Sequence, residues 1–69
     1  MTLKQMRLNA NKTVLDVIKV IGVTDATVYL WETKKTTPRL DNIIKLSELY
    51  GVPIEDIVRE LADERKPNV

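Results

Sequence analysis

Apolar side chains return every three or four residues along most of this chain, the spacing of one face of an α-helix. Leu3 and Met6 mark the inward side of a first helix over Thr2 to Ala10, and Asn11, which tolerates left-handed backbone, ends it. Thr13 is placed to cap a second helix, with Asp16 three residues on to reach back to it. Val17, Ile18 and Ile21 form the stripe of that helix. Val14, Leu15 and Val20 are surplus to one stripe, so the helix is either deeply buried or also meets a partner. Gly22 then stops it, because a residue without Cβ enters the left-handed region at no steric cost. Val23 follows as an apolar plug, and Thr24 is placed to cap a third helix of about 25–33, whose Val28 and Trp31 share one face.

Residues 34–39, KKTTPR, form a basic loop closed by Pro38. Leu40 to Tyr50 reads as a fourth helix with Leu40, Ile43, Leu46 and Tyr50 inward and Gly51 as its stop. Pro53 opens a fifth, with Ile54, Ile57, Val58 and Leu61 as its stripe and Glu55 and Asp56 at its positive end. From about Asp63 the chain is polar. No strand alternation, repeat or low-complexity stretch interrupts this order. The pattern predicts an all-α fold, a compact five-helix bundle, with one domain over 1–63 and a polar C-terminal tail over 64–69.

Two short helices joined through Gly22 also have the form of a helix-turn-helix, whose second helix can enter the major groove of DNA. An ordinary helical hairpin has the same spacing. Composition removes other classes. With 69 residues the core is small. The chain holds no Cys and no His, which rules out disulfides and argues against zinc sites and Cys/His nucleophiles. Its acids are spread over helix surfaces with no paired nucleophile, so no enzyme, metal or cofactor is expected. No apolar run approaches bilayer length and no signal-peptide pattern is visible, so a cytoplasmic protein without membrane contact is expected. The net charge of +1 conceals an asymmetry. Residues 1–39 carry seven Lys/Arg against three Asp/Glu, and residues 40–69 carry four against seven. A basic half suits a molecule that turns one face to a polyanion.

The residues also carry a family resemblance. Gly22-Val23, Val28, Trp31-Glu32, Lys35, Pro38, Leu40, Ile43, Leu46 and Leu49-Tyr50-Gly51-Val52 resemble the Cro and phage-repressor type of helix-turn-helix domain, the XRE family. The likeness runs from residue 2 to about 60. It implies the lambda-repressor-like five-helix fold, binding to a double-stranded DNA operator as a homodimer, and a role in bacterial or phage transcription regulation. It also implies an ion pair between Arg7 and Glu32. Four positions depart from the pattern: Val14 where Gln is common, Ile18 where a small residue is common, Lys34 where Gly often follows the third helix, and Lys12 where an apolar residue is usual.

Carried over onto this chain, the resemblance assigns base readout to Thr24, Asp25, Ala26, Tyr29 and Leu30 on the third helix. Ala26 and Leu30 suit thymine methyl groups, and Asp25 suits a cytosine amino group. Tyr29 suits a phosphate or a base edge. That helix has no Arg, Asn or Gln for the common bidentate contacts to guanine and adenine. Phosphate contacts are assigned to Lys12, Thr13, Thr27, Lys34, Lys35, Thr36, Thr37 and Arg39. The competing reading is a protein-interaction module on the same fold, an antitoxin or antirepressor. It draws on the apolar second helix, Leu30 and the fifth helix.

Overall fold

The computed structural model describes residues 1–62. Tail residues 64–69, together with residue 63 at the edge of the expected domain, lie outside the described residues. Five helices follow one another: α1 (Leu3–Asn9), α2 (Val14–Ile21), α3 (Asp25–Glu32), α4 (Leu40–Tyr50) and α5 (Ile54–Ala62). The described residues contain no strand, and none of their helices is long and apolar enough to cross a membrane.

Local chemistry sets each boundary. Thr2 and Thr13 both close full capping boxes, with Gln5 and Asp16 returning to the cap N–H groups. Thr24 caps α3 through Thr27 N–H at 3.2 Å. At the other ends the backbone turns left-handed. Asn11 has φ +59 and Gly22 φ +85. The Asn11 and Lys12 amides donate back to Leu8 and Arg7 carbonyls at 3.0 Å each, which satisfies the last carbonyls of α1. Gly51 closes α4 in the same region of φ, and Ser47 Oγ donates to the Val52 carbonyl at 2.6 Å just beyond it.

α2 packs on α3 and α4, α4 packs on α5, and α1 lies across α3, α4 and α5. The enclosed core is Leu3, Met6, Val17, Ile21, Val28, Trp31, Ile43, Leu46, Tyr50 and Ile57. Val14, Ile18 and Val23 pack against it. Val14 is therefore part of the core edge, whereas Leu15 and Val20 are exposed, as surplus apolar positions on α2 should be. Ile18, where a small residue is common, packs at the edge of the core while α2 lies on α3.

Three expectations are corrected. Leu40 is not inward but 65% exposed. It is the first residue of α4, and helical side chains lean toward the N-terminus, so it overhangs the end of the core. Pro38, before the helix, is buried instead. On α5 only Ile57 is fully buried, and Ile54 and Val58 remain 37% and 42% exposed. They stand four apart on one flank of a helix that meets the bundle only through α4 and α1. The third helix also ends at Glu32, with Thr33 as its C-cap.

Asp16 provides a pH-dependent contribution to this fold. Its hydrogen bonds with the Thr13 backbone and hydroxyl hold its carboxyl below the usual carboxylate range, helped by the charges of Lys12 and Lys19. A carboxyl with a depressed folded-state pKa stabilises at pH values above its unfolded pKa of about 3.9 and loses that contribution as pH falls through the folded value. The variant Asp16→Asn is expected to flatten the acid limb of a stability-versus-pH curve below about pH 4. An unchanged acid limb would show that the box is held by Thr13 alone.

Candidate nucleic-acid interface

α3 is pinned from beneath by Val28 and Trp31, both buried. That fixes which residues face outward. Thr24, Asp25 and Ala26 are exposed at its N-terminal end, and Tyr29 is 64% exposed one turn later. Leu30 is only half-buried, so part of its surface is turned from solvent. The Thr24 and Thr27 hydroxyls stand 3.1 Å apart, and Thr27 is itself half-buried. This edge is short and mostly uncharged. It offers a methyl, two hydroxyls, a phenol and one carboxylate, groups that read base edges at close range rather than attract phosphate from afar.

The basic loop follows directly. Thr33 caps α3, Lys34 takes φ +63, and the Lys34 and Lys35 amides donate to the carbonyls of Trp31 (3.1 Å) and Leu30 (2.9 Å). This is the six-residue closure with a left-handed residue at its centre that glycine fills most cheaply. Buried Pro38 anchors the far end of the loop. Between them Lys35, Thr36 and Thr37 are exposed, as is Arg39 just beyond Pro38. Arg39 is also the N-cap of α4 and gives it no side-chain hydrogen bond, so the positive end of α4 adjoins the loop. Its guanidinium approaches Asp41 at 3.8 Å, with both side chains exposed.

Lys34 differs from its neighbours. Its ammonium lies 3.4 Å from a carboxylate oxygen of Glu60 on α5. No feature of the α5 stripe in the sequence marked Glu60 as a partner for this loop. The only signal in the chain was a lysine where left-handed backbone favours glycine. At the start of α2, Lys12 is half-buried and Thr13 exposed, and the Thr13 hydroxyl already accepts from Asp16 N–H.

Behind this surface the Arg7 guanidinium joins three segments. Nε donates to Glu32 Oε2 at 2.7 Å, a second nitrogen donates to Oε1 at 3.3 Å, and the third donates to the Lys12 carbonyl at 3.1 Å. The two side chains are 8% and 10% exposed. The hydrogen bond to Glu32 raises the Arg7 pKa further, against the opposing effect of burial. Tyr50 sits in the same neighbourhood, and burial followed by the Glu32 charge pushes its phenol well above the ordinary range. One fork thus ties α1, the α1–α2 turn and the end of α3, and so fixes the angle at which α3 is presented.

The model of the helix-turn-helix family, HTH_3, matches residues 3–57, most of the chain and all of the elements just described up to the middle of α5. The chain belongs to the helix-turn-helix family. It is a Cro/repressor-type member of the XRE class, a DNA-binding domain of the kind typical of transcription regulators. Neither the search of curated proteins nor that of solved structures finds a match. Within the family's architecture α2 and α3 are the helix-turn-helix pair.

Proposed function

We propose that this domain is a sequence-specific regulator, repressor or Cro-like, that acts in the cytoplasm by placing α3 in the major groove of an operator. The observation that carries this reading is the pairing of two surfaces on one rigid unit. The outward edge Thr24, Asp25, Ala26 and Tyr29, with part of Leu30, meets base edges. The adjoining Lys35, Thr36, Thr37 and Arg39, with Lys12, Thr13 and Thr27 toward the other end, meet phosphates. With no Arg, Asn or Gln on α3, sequence choice rests on methyl contacts, on one acceptor for cytosine and on the shape of the duplex.

The regulator binds as a homodimer, with recognition helices about 34 Å apart to match one turn of B-DNA. The exposed pair Ile54 and Val58 on α5 supplies apolar surface for that association. Selection of bound fragments from random DNA, followed by sequencing, is expected to return inverted half-sites with centres about ten base pairs apart. Recovery of a lone half-site, bound at full affinity without gain from a second, would defeat the dimer. Variants at Asp25 or Tyr29 should change the recovered bases. Unchanged preferences in both would remove α3 from readout.

A second reading is supported by exposed Leu15, Val20 and Tyr29, which together give α2 and α3 more open apolar surface than DNA contact requires. On that reading the main partner is a protein, as for an antitoxin or antirepressor. It predicts no enriched sequence in the same selection.

A further inference from the structure

Lys34 is costly where it stands. At φ +63 its Cβ crowds the backbone in a way that glycine would avoid. Its side chain has a partner that glycine could not supply, Glu60 Oε2 at 3.4 Å. Lys34 is 42% exposed at its side chain but Glu60 only 12%. Among the described residues Glu60 makes no other ion pair. Drawing Lys34 away toward a phosphate would leave the mostly buried Glu60 carboxylate without its cation from among the described residues, which is the costly way to break such a pair. The geometry pairs Lys34 with α5.

We propose that Glu60 is a positioning residue for DNA binding: by holding Lys34 it fixes the loop 34–39 against α5 and so sets where Lys35, Thr36, Thr37 and Arg39 meet the phosphate backbone. The proposal rests on the DNA-binding reading and adds to it a residue whose charge is of the wrong sign to touch DNA. That sign makes the consequence distinctive. Removing an acid from a DNA-binding protein ordinarily strengthens binding, because it lowers repulsion of the polyanion. Here removing Glu60 weakens it.

The loop itself reports on the strut without any DNA. The Lys35 and Thr36 amides both donate to the Leu30 carbonyl, at 2.9 and 3.3 Å, and hydrogen exchange at these two sites follows the opening of the turn. In the full chain, Glu60→Gln is expected to speed their exchange about fivefold beyond any change at the core amide of Leu46. The same variant should bind a random-sequence duplex about fivefold more weakly at fixed low salt. The charge swap Lys34→Glu with Glu60→Lys should recover both readouts. Lys34→Gln, which breaks the same strut, should speed exchange at Lys35 and Thr36 as Glu60→Gln does, whereas Lys35→Gln should leave the Thr36 exchange unchanged and lower the salt slope of binding by about one for each phosphate no longer neutralised. Stronger or equal binding by Glu60→Gln, or unchanged loop exchange in a wild-type protein that does bind DNA, overturns the positioning role alone. Absence of wild-type DNA binding overturns the functional reading together with it.

Discussion

Replacing Arg7 with Met is expected to lower stability by about 3 kcal/mol, because it strands the Glu32 carboxylate in a site largely closed to water. A domain of this size is stable by only about 5–10 kcal/mol, so the loss is a large share of the total. The variant also removes the donor to the Lys12 carbonyl and frees α1 from the turn before α2. Arg7→Lys should recover little, since an ammonium cannot span Oε1, Oε2 and a carbonyl in the planar arrangement that the guanidinium adopts. The double variant Arg7→Met, Glu32→Leu should cost less than Arg7→Met alone, because no charge is left unpaired. Chemical denaturation of the two single variants and the double completes the cycle. A coupling near zero would place the pair with exposed ones worth about 0–1 kcal/mol and would deny it any part in setting the angle of α3.

The steepest expected effect on function is that of salt. Lys12, Lys35 and Arg39 give three cations per protomer on the proposed phosphate-facing side. A dimer thus makes roughly six charged contacts, for which log affinity falls with log salt at a slope of about −5. Between 50 and 200 mM salt the affinity should drop by about a thousandfold. Removing Lys35 and Arg39 together should weaken binding to operator and random DNA alike and lower the slope by about one for each phosphate left without its cation. Fluorescence anisotropy over a salt series measures both. A flat salt dependence would point to an apolar protein interface and to the second reading of the molecule. A change of sequence preference in the lysine and arginine variants would mean that the loop, not α3, reads bases.

The order and number of the helices were legible in the chain because each boundary is a local event. Thr13 and Asp16 form their box within one turn, Asn11 and Gly22 take left-handed backbone where they stand, and a stripe such as Val17 and Ile21 follows from helix geometry. The helix-turn-helix pair was legible for the same reason, and the resemblance then pointed to Arg7 and Glu32, which lie far apart in sequence. Spacing by itself had no means of joining them.

What the tertiary structure alone decided concerns partners and ends. Leu40 keeps the helical spacing of a core residue, yet it is exposed because the bundle stops before it reaches that turn, and Pro38 is the buried residue there. Ile54 and Val58 share the stripe of α5, but only α4 and α1 lie against that helix, too little to cover its whole apolar width. Lys34 reads in sequence as one more charge in a basic run. Only the folded bundle, in which α5 packs on α4 and α1, brings Glu60 within 3.4 Å of it. Caps, turns and stripes are interactions over a few residues, which the sequence determines by itself; which apolar face is covered, and which charge answers which, depends on segments far apart in the chain that only the packed bundle brings together.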